Sequence, residues 1–176
     1  MKSHDIHQEW QDALAQLDRG DGSSEEAFRA LNELGAHLRE LLFPDGPSAD
    51  YAGDVDPADP RLQLLLDALA AQAVLEPGDP AYPWERGGLL SEFGRHLEAA
   101  EDYLAAARLF DREAEAATGL TGDEDDWAKS ARYHAAKNLA LGGHPTAAAA
   151  LLPQLDPEDR AEVEPIVGAK ASETIL

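Results

Sequence analysis

Residues 94–110 read GRHLEAAEDYLAAARLF. A glycine opens the stretch, and Ala99, Tyr103 and Ala106 then follow at steps of four and three. That spacing puts a small, an aromatic and a small residue on one face of a helix. An ordinary amphipathic helix would show it. So would the second helix of a stacked helix-turn-helix repeat, in which the small residues let a neighbouring helix come close. The rest of the chain decides between these.

Working outward, helical periodicity covers nearly the whole sequence and no stretch reads as a strand. A first helix is expected from about Ser3 to Asp18, with Ile6, Trp10, Ala13, Leu14 and Leu17 on one face and Gly20 as its stop. A second starts at Ser23, where Glu26 offers a capping box, carries Phe28, Leu31, Leu34, Leu38, Leu41 and Leu42, and ends at Pro44. A long acidic loop follows over residues 44–59. Asp59-Pro60 opens a third helix that runs to Pro77, and Asp79-Pro80 opens a short fourth that Gly94 closes. The fifth is the quoted stretch, continuing to about Thr118. Asp123 caps a sixth that ends at Gly142-Gly143. A seventh spans Pro145 to Leu152, and a last helix starts at Asp156-Pro157, with Pro165 near its end. The expectation is an all-α chain of seven to eight helices forming one domain over residues 1–170, with a frayed tail over 171–176.

The quoted helix has partial counterparts elsewhere in the chain. Forward by 49, Ala99, Tyr103 and Ala106 land on Ala148, Leu152 and Leu155, and Gly94 lands on Gly143. Back by 34, Ala99 lands on Leu65 and Tyr103 on Leu69, but Ala106 lands on Gln72, a mismatch. A period of about 34 residues is that of the tetratricopeptide repeat, with pattern W-x2-L-G-x2-Y, A-x3-F and P. Leu31-x2-Leu34-Gly35-x2-Leu38, Leu65-x3-Leu69 and Pro77 follow that pattern. Continuing the count puts Gly87 at the next small position, Leu90 at the next aromatic one and Gly94 in the turn. The chain therefore resembles the tetratricopeptide repeat family over residues 28–155, in a divergent form. Leu65 and Gln72 replace small residues, Pro83 and Arg86 stand where large apolar residues are usual, and Pro153 shortens the last unit. The resemblance implies helix hairpins stacked in series, capped at both ends by the first and last helices.

The resemblance also implies a concave groove for a peptide or partner helix, lined by the first helix of each repeat. Carried over position by position, the lining is Arg29, Asn32, Ala36, Arg39 and Glu40, then Ala81, Trp84, Gly88, Ser91 and Glu92, then Ser130, Tyr133, Lys137, Ala140 and Leu141. Arg29, Asn32, Arg39, Trp84, Glu92, Tyr133 and Lys137 are the candidate partner-binding residues. The cations suit an acidic segment or a C-terminal carboxylate. The competing reading has Trp84 and Tyr133 packed between helices and the arginines paired with local glutamates.

Net charge is -21, with 35 acidic residues against 14 Lys and Arg, so nucleic acid is not an expected partner. Such a surface suits solubility, or contact with a basic protein. The 176 residues include no cysteine, which excludes thiolate chemistry and disulfides within the chain. No apolar run is long enough for a membrane span and MKSHDIHQEW is no signal peptide, so a cytoplasmic protein is expected. His4 and His7 stand one turn apart but lack a third ligand, so no metal or other cofactor is expected. GDEDDW reads as carboxylates at a helix N-terminus and DVDPADP as a solvated loop, since neither has the spacing of a calcium loop. His37, His96, His134 and His144 are scattered, and there is no G-x-S-x-G, phosphate loop or H-E-x-x-H. The expectation is a non-catalytic adaptor that binds another protein, with a homodimer as a further option. The alternative is an acidic inhibitor or immunity-type protein that masks a basic enzyme, with its charge gathered at Asp45 to Asp79 and Glu98 to Asp126.

Overall fold

The structure, a computed structural model, describes residues 24–44, 55–116 and 123–173, together with Gln8, Trp10, Gln11, Asp12 and Ala15. These residues form helices and turns, with no strand among them. The chain is all-α, as its periodicity predicts. It divides into two compact units, Met1–Pro77 and Gly78–Leu176.

Unit 1 contains α1 (Ser24–Leu42) and α2 (Pro60–Leu75), which pack on each other. On α1, Ala27, Leu31, Leu34, Leu38 and Leu42 are buried, a three-and-four spacing that makes one continuous stripe. On α2, Leu62, Leu65, Leu66 and Leu69 are buried. Asp59 starts α2 by accepting the Arg61 backbone N–H at 2.8 Å, and Pro60 fills the first turn, where its missing N–H costs nothing. Gln72, the residue that breaks the small-residue register, is buried in α2 and donates its amide to the Asn32 side chain on α1. The expected first helix and the core of the acidic loop, residues 45–54, lie outside the described residues except at the N-terminal positions named above; those positions are helical, and Trp10 is buried.

Unit 2 contains α3 (Ala81–Glu92), α4 (His96–Ala116), α5 (Asp123–Leu141), α6 (Pro145–Leu151), a 3-10 turn (Leu152–Gln154) and α7 (Pro157–Glu173). Packing follows chain order: α3 on α4, α4 on α5, α5 on α6, and α7 against both α5 and α6. Pro83 lies in the first turn of α3, so it breaks no helical bond and is buried instead.

The ends of α3 and α5 are built alike. At the first, Phe93, Gly94 and Arg95 donate their N–H groups to the carbonyls of Leu89, Ser91 and Leu90 at 3.1, 3.1 and 2.8 Å. Forty-nine residues on, Gly142, Gly143 and His144 donate to Asn138, Ala140 and Leu139 at 2.8, 3.2 and 2.8 Å. Gly94 and Gly143 sit at φ +72° and +82°, the left-handed conformation that such a helix stop requires. The second helices then also correspond. Ala99 and Ala148 are both fully buried, as are Ala106 and, nearly so, Leu155. The match ends at Leu152, which is only half-buried in the 3-10 turn, because Pro153 stops α6 where α4 continues.

The tail expected to fray from residue 171 is helical to Glu173, and residues 174–176 lie outside those described. Pro165, expected near the end of the last helix, lies in the interior of α7. Its ring removes one helical hydrogen bond, but Val163, Ile166 and Val167 on either side pack against the cores that α5 and α6 build. Burial on both sides of the proline holds the helix through it.

Candidate functional site

Of the seven residues that the groove reading singles out, Arg29, Asn32 and Arg39 belong to unit 1 and Trp84, Glu92, Tyr133 and Lys137 to unit 2. In unit 1, Arg29 is exposed and pairs with Glu25 one turn back at 3.4 Å. Asn32 accepts the hydrogen bond from the buried Gln72. The Arg39 guanidinium lies over Gly35, where a Cβ would come within 3.2 Å of Nη1, so the glycine makes room for it.

Unit 2 gathers an aromatic cluster across three helices. Trp84 on α3 is its hub. Its ring centroid lies 5.3 Å from Tyr103 and 6.2 Å from Phe110 on α4, and 5.6 Å from Trp127 and 5.5 Å from His134 on α5, all edge-on. His134 stacks on Tyr103 at 5.0 Å and 20°, and Trp127 stacks on Phe110 at 6.1 Å and 24°. Offset and edge-to-face pairs are the favoured geometries of aromatic rings. Small residues make the assembly possible. A Cβ on Gly87 would stand 3.3 Å from the Tyr103 ring and from the Ala99 carbonyl oxygen. Ala106, Ala107 and Ala131 form the buried floor beside Trp84 and Phe110. Ala99, Tyr103 and Ala106, spaced by four and three along α4, therefore share one packed interface with α3 and α5.

Tyr133 stands 49 residues after Trp84 at the matching place on α5, and its ring meets that of His134 at 4.9 Å. Lys137 lies 5.5 Å from the Tyr133 ring centroid, donates to the Tyr133 hydroxyl at 3.1 Å, and forms an ion pair with Glu162 of α7 at 2.7 Å. The hydrogen bond to Glu162, foremost, raises the Lys137 pKa and keeps the ammonium charged. Glu92 is exposed at the end of α3, and its charge, after burial, helps push the Tyr103 hydroxyl up to about 12. Trp84 thus packs between helices, Arg29 pairs with a glutamate one turn away and Lys137 with Glu162 of α7.

Several residues of the site were not singled out from the sequence. Trp127 is 51% exposed, although Trp84 meets it edge-on and Phe110 stacks on it. The signal was present: Trp127, Ala131 and His134 recur at four and three on α5, starting from the last residue of the acidic GDEDDW. His134 has its pKa lowered, chiefly by burial and then by the Lys137 charge, so it is kept neutral. Asn138 is buried, donates to the His134 carbonyl at 2.9 Å, and so presents its oxygen to Nδ1 of His96 on α4, also at 2.9 Å. Arg86 on α3 pairs with Asp102 on α4 at 2.9 Å. Burial raises the Asp102 pKa to about 6 despite the opposing pull of Arg86, helped by the charges of Glu101 and Glu98. Arg86 Nε and Asp102 Oδ2 are buried and find no further hydrogen-bond partner among the described residues.

Among the described residues no group of His, Asp and Glu is placed to hold a metal ion. His4 and His7 lie outside them. No described helix is long and apolar enough to cross a membrane. What the site offers chemically is a rigid, half-buried aromatic surface with fixed charges at its edges. Compared with protein-family models, with curated proteins and with solved structures, the chain matches none.

Proposed function

We propose that this chain is a non-catalytic interaction module, and that the aromatic face of unit 2 receives a segment of a partner protein. One observation carries the reading: Trp127 stays 51% exposed although Trp84 meets it edge-on and Phe110 stacks on it. A large aromatic already fixed in place loses little entropy on binding, and such residues dominate the energetics of protein interfaces. Trp84 and Tyr133, 49 residues apart, are the positions at which the resemblance expects the inner face of consecutive hairpins. The observed pairing of Lys137 with Glu162 moves the weight of recognition from the cations to the aromatic rings.

The test is affinity capture with the intact chain and with Trp127→Ala, each checked for unchanged helicity by circular dichroism. Proteins retained by the native chain should be lost by the variant. An unchanged set of captured proteins would remove the aromatic face from the function. A second reading, an acidic protein that masks a basic enzyme, draws support from the exposed carboxylates Glu101, Glu113 and Glu115 on α4 and Asp126 on α5. That complex would dissociate with added salt and be indifferent to Trp127→Ala.

A further inference from the structure

We infer that the segment received at Trp127 is cationic, an arginine- or lysine-bearing stretch whose charged head stacks on the exposed part of the indole. This rests on the reading of the aromatic face as a partner site and adds the chemistry of the partner. Trp127 is half exposed, Phe110 stacks on its ring and Trp84 meets it edge-on, so the indole offers a held π-surface, the best of the side chains for a cation. Both α4 and α5 carry exposed carboxylates close by in sequence. Asp126 precedes it on α5, with its side chain 73% exposed and only a loose 3.7 Å pairing to Lys129. Glu113 is exposed on α4, one helical turn beyond the Phe110 that Trp127 stacks on.

Two cations of these helices are already engaged. Arg132 is held by Asp111, and Arg112 turns its Nε to the Arg108 carbonyl at 3.4 Å. A guanidinium arriving from a partner can stack on the indole and meet a carboxylate at once. An acidic segment would meet repulsion at the same place. A second copy of this chain is disfavoured for the same reason, since each copy carries a net charge of -21.

The experiment uses the full chain and three short end-blocked peptides, Gly–Arg, Gly–Glu and Gly–Leu repeats. NMR follows the Trp127 indole N–H, assigned by its loss in Trp127→Phe, and calorimetry gives the dissociation constant. The Gly–Arg peptide should shift the Trp127 indole. Trp127→Ala should weaken it roughly tenfold, in line with a partly desolvated cation–π contact. Asp126→Asn with Glu113→Gln should weaken it further and flatten its salt dependence. Equal affinity of the Gly–Arg peptide for native chain and Trp127→Ala would overturn the inference, since attraction by net charge alone would then explain the binding. Preferential binding of the Gly–Glu or Gly–Leu peptide at Trp127 would overturn it while leaving the aromatic face as a partner site. A Trp127 signal that moves with protein concentration alone would overturn it in favour of self-association. If no peptide moves that signal, the inference and the reading of the face fall together.

Discussion

Replacing Asp102 by asparagine tests how strongly the α3–α4 interface controls charge. The Asp102 side chain is 14% exposed and opposes Arg86. Burial, foremost, lifts its pKa from 3.8 to about 6. An acid whose pKa is higher folded than unfolded binds protons more tightly in the folded state. Its contribution to stability is therefore fully present below about pH 4 and is lost as pH rises through about 6. The size of that loss is about 3 kcal/mol, at about 1.4 kcal/mol for each pH unit of displacement. Asparagine stays neutral and lacks this dependence. The stability of Asp102→Asn minus that of the native chain should thus climb by about 3 kcal/mol from pH 4 to pH 7 and then level off. Other titrating groups, His134 included, are present in both proteins and largely cancel in the difference. Urea unfolding followed by near-ultraviolet circular dichroism, which reports the neighbouring aromatic cluster, gives the two curves. A difference that stays flat across this range would refute the account. A difference that falls with pH would show that attraction to Arg86 outweighs the cost of burial.

His134 should act in the opposite direction. Its folded pKa is lowered by burial between Tyr103, Trp84 and Tyr133, so its contribution is present above the ordinary value of 6.5 and is lost as pH falls through the folded pKa; an NMR titration of its ring should give a midpoint below that of free histidine. Two helical glycines should respond with opposite signs. Gly87→Val forces branched carbons against the Ala99 carbonyl and the Tyr103 ring and should cost about 2 kcal/mol, whereas Gly168→Ala on α7, with nothing within 4 Å of the added carbon, should gain about 0.5–1 kcal/mol; thermal unfolding of both variants checks the pair. Asn138→Ala removes the bond to His96 and the bond to the His134 carbonyl and should destabilise unit 2 by about 2 kcal/mol in the same assay.

Punctuation and periodicity were sufficient to locate most of the described helices. Asp59-Pro60, Asp79-Pro80, Gly94 and Gly143 act through the backbone within a turn of themselves, so their effect is written locally: a capping carboxylate, a ring that needs no N–H, a residue that tolerates positive φ. Even the 49-residue recurrence of the helix stops was visible, because it consists of the same local bonds made twice. Pro165 shows where this fails. Its local signal is to stop a helix, and only the packing of Val163, Ile166 and Val167 against neighbouring helices overrides it.

The candidate site was legible in its residue types and not in its pairings. Trp84 and Tyr133 could be placed on corresponding faces by counting. That Lys137 would be engaged by Glu162, 25 residues on, or that Gln72 would find Asn32, 40 residues back, depends on how helices cross. The same holds for Trp127. Alone it is one tryptophan after an acidic run. It becomes a half-exposed aromatic surface because α3 and α4 deliver Trp84 and Phe110 against it. The sequence by itself determined an all-α chain, most of the described helix boundaries and its acidic balance, since these follow from propensity, caps and ionisation acting over a few residues. Tertiary structure decided which aromatic stayed in water, which cation was already paired and which carboxylate resists ionisation, because burial and charge pairing are properties of distances between helices that no local pattern records.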